Sequence, residues 1–145
     1  MAAASLEACP IGFTAHPNSC RFHVKARGSE APAQSLSGGN LQKFILGREI
    51  DARPKVLIVG QPTWGVDVGA AAQIRAELLE LKRAGAAVVV VSEDLDELFE
   101  ICDSLVVMAS GRLSPKAEVA AVTVEQIGEW MSGLWHARNP EIQGA

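Results

Sequence analysis

Long hydrophobic runs, clustered basic residues and metal-type cysteine spacings are all missing from this chain of 145 residues. The longest clean apolar stretches, such as residues 86–91, are strand-sized and fall far short of the roughly 18 residues that a membrane span needs. Any connection with a membrane is therefore expected to run through a partner. The first twenty residues lack the basic start and unbroken apolar centre of a secretory signal, because Glu7 comes early and Pro10, His16 and Pro17 interrupt. Lys82-Arg83 is only a pair at a predicted helix end, and the formal net charge is −4; no nucleic-acid surface is expected. Cys9, Cys20 and Cys102 are odd in number and unevenly spread, which points to free thiols in a reducing compartment. Cys102, beside Ile101, reads as a buried or half-buried thiol. His16, His23 and His136 are scattered, and no metal site is expected from them.

What is present is an ordinary globular composition, 48% hydrophobic and 21% charged, enough for about one domain with a core. Residues 1–33 show no sustained period and are expected to be irregular, punctuated by Pro10, Pro17, Gly28 and Pro32. The body of the domain is expected over 34–115, with a helix and tail over 116–145. Leu41, Phe44, Ile45 and Arg48 recur at helical spacing, so a helix is predicted that Ser37 caps and that stops near Ala52, ahead of Pro54. Residues 56–59 and 86–91 read as fully buried strands. Between them Ile74, Leu78, Leu79 and Leu81 share one face of a helix over 68–84 that Gly85 terminates. This strand–helix–strand order implies parallel strands, hence an α/β fold with ligands beyond the strands' carboxyl ends. Residues 94–102 read as a short acidic helix with Leu95, Leu98, Phe99 and Ile101 inward. Residues 105–108 read as a strand, followed by a tight turn at Ser110-Gly111 and a short return strand, and Thr123 with Gln126 makes a capping box for a last helix carrying Ile127 and Trp130. Trp130 and Trp135 are expected to pack there.

The chemistry-bearing residues lie in four ordered segments. Leu36-Ser37-Gly38-Gly39-Asn40, followed by Leu41-Gln42-Lys43, sets a glycine turn in front of a helix. Glycines let backbone N–H groups come close to a ligand, and the helix start adds partial positive charge. The next three segments are residues 56–63, residues 65–70 around Asp67, and residues 90–95 around Glu93. Together they resemble the signature motif, Walker B strand, D-loop and switch-histidine segment of ABC-transporter ATP-binding domains, in the variant of simple-sugar and nucleoside importers. The resemblance runs from about Val24 to about Ser132 and covers the C-terminal half of such a domain. It implies a partial P-loop NTPase fold built on a parallel strand–helix–strand core. In the family the signature presses on the γ-phosphate of ATP held by an opposing domain, which would give Ser37, Gly38, Gly39, Asn40 and Asp67 a role in trans.

Every departure from the family pattern removes a catalytic part. Gly60 stands where the Walker B aspartate holds the magnesium shell, and Gln61 stands where a glutamate polarises the attacking water. Glutamine keeps the shape but is a poor proton acceptor. Glu93 stands at the switch-histidine position, an anion where a γ-phosphate must approach. No G-x-x-x-x-G-K-[ST] occurs: Gly60 and Gly65 have the glycine spacing, but Val66-Asp67 follow them. The pattern is similar to the second, degenerate nucleotide-binding domain of fused sugar importers. The expectation is a truncated ATP-binding component that binds neither ATP nor Mg2+ alone and works beside a P-loop-bearing domain and a transmembrane permease, on the inner face of the cell membrane. Two other readings stay open: a non-catalytic α/β module that docks on a transporter, and a decayed fragment. Trp64, in the turn, reads either as a contact to an opposing subunit or as a partly exposed cover of the turn.

Overall fold

The computed structural model describes residue 24 and residues 33–135. Cys9, Cys20, His16, His23 and His136, and all of the segment 1–33 except residues 24 and 33, lie outside the described residues. The chain divides into two units, Met1–Glu93 and Asp94–Ala145.

In the first unit, helix α1 spans Gly38–Asp51. It ends at Ala52, whose backbone N–H still reaches Arg48 O, while Arg53 turns to a φ of 46° ahead of Pro54. Its buried positions are Leu46, Gly47 and Ile50; Leu41, Phe44 and Ile45 are half-buried and Arg48 is exposed, so the covered face is rotated toward the helix's C-terminal half. Strand β1 follows at Val56–Gly60, helix α2 at Val68–Arg83 and strand β2 at Ala87–Val91. Asp67 caps α2 by accepting the Ala70 N–H at 2.8 Å. Gly85, at φ 95°, reverses the chain after it, a backbone conformation that costs glycine nothing. The strands pair in parallel, in the register Val56↔Ala87 through Gly60↔Val91, as the strand–helix–strand order predicted.

Alternation across the pleat gives β1 two unlike faces. Leu57 and Val59 are buried, as are Ala70, Ile74, Leu78 and Leu81 of α2, each large side chain contributing about 1.5–3 kcal/mol. The opposite positions, Val56, Ile58, Val89 and Val91, are 59%, 72%, 48% and 60% exposed. The expectation of two fully buried strands is therefore corrected: this sheet has only these two described strands, and no described element of the first unit covers its second face. Leu79, expected inward, is half-buried.

In the second unit, helix α3 covers Leu95–Ile101, with Asp94 as a side-chain cap to the Glu97 N–H. Its buried positions are Ile101 and, against expectation, Glu97; Leu95, Leu98 and Phe99 are half-buried. Cys102 is half-buried at the helix end and forms no disulfide among the described residues. The stretch read as one strand over 105–108 divides. β3 (Ser104–Leu105) pairs antiparallel with β6 (Ala117–Glu118), and β4 (Met108–Ala109) pairs with β5 (Arg112–Leu113) across the predicted Ser110-Gly111 turn. The division follows from Val107, whose N–H goes to Ser114 Oγ rather than to a ladder partner. Helix α4 spans Val124–Met131 and carries the complete Thr123/Gln126 capping box, with Ile127 1% exposed. Trp130 and Trp135 are half-buried.

Among the described residues no helix is long and apolar enough to cross a membrane.

Candidate functional site

The first turn of α1 and the loop 61–67 enclose an open recess of about 600 Å³. Four of the sequence-selected residues, Ser37, Gly38, Gly39 and Asn40, line one wall, and Asp67 lines the other with Trp64, Gly65 and Val66. The fold thus brings together residues that stand about 27 apart in the chain. Helix α1 has no acidic residue in its first turn, so nothing in that turn opposes a negative group.

Ser37 occupies the N-cap position with extended backbone angles, and its carbonyl accepts the Leu41 N–H. Its side chain makes no cap bond, however, so that expectation is corrected: Ser37 Oγ accepts from Asn40 Nδ2 at 2.9 Å instead. The hydroxyl proton is thereby left free to point outward, toward an acceptor in the recess. The two glycines differ. A side chain added at Gly38 would meet nothing within 4 Å, whereas one at Gly39 would lie 2.6 Å from the Gly65 carbonyl oxygen. Gly38 faces open space; Gly39 faces the chain itself.

Asp67 is held from two sides, by the Ala70 N–H at 2.8 Å and by Lys43 Nζ at 3.0 Å. These keep its carboxyl below the usual carboxylate range, the Ala70 N–H first and Lys43 second. Both Asp67 oxygens therefore have partners within the chain.

Gln61 sits one residue past β1 with a φ of 49°, and its N–H donates to Val91 O at 2.7 Å. Its side-chain Oε1 accepts from Ser92 Oγ at 3.4 Å, a long bond. Gly60 pairs with Val91 at the sheet's carboxyl end and contributes no side chain. Glu93 is exposed. With a glycine at 60, an amide at 61 and Asp67 already engaged, the loop presents no free carboxylate where a magnesium ion would need one. These residues do not fit the ion. Among the described residues no group of three or more His, Cys, Asp or Glu side chains could hold a metal ion.

Gln42 and Lys43 have a role that the sequence alone leaves unassigned. The structure has Gln42 Nε2 donating to Gln61 O at 3.0 Å and to Pro62 O at 3.3 Å. The signal was available: 39, 42 and 43 follow the i, i+3, i+4 spacing of one helical face.

No family model matches the chain. Over 118 residues it is 38% identical to a ribose import ATP-binding protein of Rhizobium etli, a match that covers 81% of this chain and 23% of that protein. It is 41% identical over 112 residues to a nucleoside import ATP-binding protein of Lactococcus lactis, covering 77% and 22%. The chain thus spans less than a quarter of the length of these relatives. Its fold matches the ATP-binding subunit of an ABC transporter with a TM-score of 0.70 at 20% identity, over 80% of this chain and 52% of that one.

Proposed function

Since the chain is homologous over most of its length to the ATP-binding proteins of ABC importers for sugars and nucleosides, we propose that it supplies the signature face to ATP held by a second, P-loop-bearing domain. In this reading Ser37, Gly38, Gly39 and Asn40 meet the terminal phosphate from the far side, and Asp67 holds the loop that touches the opposing domain. The chain itself does not hydrolyse ATP, because Gly60, Gln61 and Glu93 replace the magnesium-holding, water-activating and switch groups. It works on the cytoplasmic side of a permease that carries a sugar or a nucleoside.

The observation that carries the reading is the free space at Gly38 beside the Ser37 hydroxyl, with no first-turn carboxylate in the way. A terminal phosphate held there would take its hydrogen bonds from fixed N–H and O–H donors, which cost little reorganisation as negative charge shifts. The sheet's exposed apolar face, Val56, Ile58, Val89 and Val91, favours a second reading, an α/β module that docks on another protein without nucleotide.

Phosphate release separates the two. The chain is assayed alone and mixed with a P-loop-bearing domain of a sugar importer. The proposed reading expects no turnover alone and a rise on mixing that Ser37→Ala lowers and Gly38→Asp abolishes. Gly38→Asp has room to fold and brings a carboxylate to the phosphate. Turnover by the lone chain overturns the reading, and binding without any rise in turnover favours the docking module.

A further inference from the structure

We propose that Gly39, Gln42 and Lys43 form a three-point clamp through which α1 fixes the loop 61–67, and that this clamp positions the loop for the partner-facing role proposed above, a role that rests on that reading. The three residues occupy one face of the helix, and each engages a different part of the loop. Gln42 Nε2 holds its start, at the carbonyls of Gln61 and Pro62, 3.0 and 3.3 Å away. Gly39 meets its middle, where the Gly65 carbonyl comes so close that a Cβ would sit 2.6 Å from the oxygen. Lys43 Nζ holds its end at Asp67 Oδ2, 3.0 Å away, from a side chain only 12% exposed.

The loop needs such support. Gln61 is in the left-handed region at φ 49°, which disfavours a side-chain-bearing residue, and Gly65 follows at φ 72°. Its own bonds are few: Trp64 N–H to Gln61 O at 3.1 Å and Val66 N–H to Thr63 O at 3.4 Å. Gln61 O accepts from both Trp64 N and Gln42 Nε2, so the internal turn and the clamp share one atom. Loosening Gln42 therefore loosens the turn that carries Trp64. The second glycine of the motif is required by this packing, and the first is the one left free for a ligand.

Hydrogen exchange on the full chain tests the clamp without any partner. In Gln42→Met and Lys43→Met, which keep side-chain length and lose the donor, the Trp64 and Val66 amides are expected to exchange at least tenfold faster. Amides within α2 and β2 should change far less, and Lys43→Arg should restore protection. Gly39→Ala should act like the other two; if it fails to fold, the methionine variants decide. Unchanged loop amides, or a uniform rise across the chain, overturn the clamp. With the P-loop-bearing domain added, the methionine variants should lower the rate at saturating ATP several-fold and leave the half-saturating ATP concentration unchanged. A full rate with fast loop exchange overturns the positioning role. Absence of stimulation by the unaltered chain counts against the in-trans reading, while the exchange result still judges the clamp.

Discussion

Lys43 and Asp67 are 24 positions apart in the chain and 3.0 Å apart in the fold, the lysine nearly covered and the aspartate largely open. The same carboxylate caps α2 at Ala70, so one side chain starts a helix and ties it to another. Because two partners favour the charged form, Asp67 titrates below its ordinary value of 3.8. The stability it contributes is fully present above that value and is lost as pH falls through the lower, folded value. Between pH 5 and pH 3 the urea midpoint should fall more for the natural chain than for Asp67→Asn, which still caps but does not titrate. Parallel profiles would show that Asp67 adds nothing to acid sensitivity.

The sheet offers a contrast between neighbours on one strand. Leu57 is 7% exposed and Ile58 72%. Leu57→Ala should cost about 2–5 kcal/mol, through lost transfer energy and the cavity left behind. Ile58→Thr should change stability by no more than about 0.5 kcal/mol and should raise solubility, because it breaks an apolar surface patch. Denaturant titration of both variants checks this. A large loss at Ile58 would mean that the face is covered after all.

That contrast marks where the sequence stopped being legible. The parallel order, the Thr123 capping box and the Gly85 stop follow from short-range chemistry and were readable, and the four motif segments were readable through their resemblance to a known family. A continuous apolar run such as residues 56–59, however, says only that apolar residues are adjacent. Whether one face or two are covered depends on what else packs there, which is not local. The rotated face of α1 fails for the same reason, whereas the division of 105–108 turns on the bond from Val107 N–H to Ser114 Oγ, seven residues on, which no apolar periodicity signals. In the candidate site the residue types pointed to a glycine turn that can approach a ligand, but the Gly38/Gly39 difference needed the position of Gly65, which no spacing rule provides.

Glu97 is 2% exposed, and neither carboxylate oxygen has a hydrogen-bond partner among the described residues. An uncompensated buried charge is costly, and an amide of the same shape loses less on burial. Glu97→Gln should therefore raise stability, by about 1 kcal/mol or more, read as a higher urea midpoint at neutral pH. A fall instead would mean that the carboxylate has a cationic partner in solution.

Trp64 supplies the sharpest separation of stability from function. It is 77% exposed on a loop held elsewhere, by Gln42 at the Gln61 and Pro62 carbonyls and by Lys43 at the Asp67 carboxylate. Removing an exposed side chain that supports nothing beneath it should alter stability by no more than about 0.5 kcal/mol. A large aromatic at the mouth of a recess is, by contrast, the kind of residue that dominates binding when a second surface closes over it. Trp64→Ala should thus leave thermal unfolding almost unchanged and weaken association with the P-loop-bearing domain at least tenfold, equivalent to about 1.4 kcal/mol. Titrating that domain by its phosphate release gives the association curve directly. If unfolding shifts and association does not, Trp64 covers its own turn and the partner surface lies elsewhere on the chain.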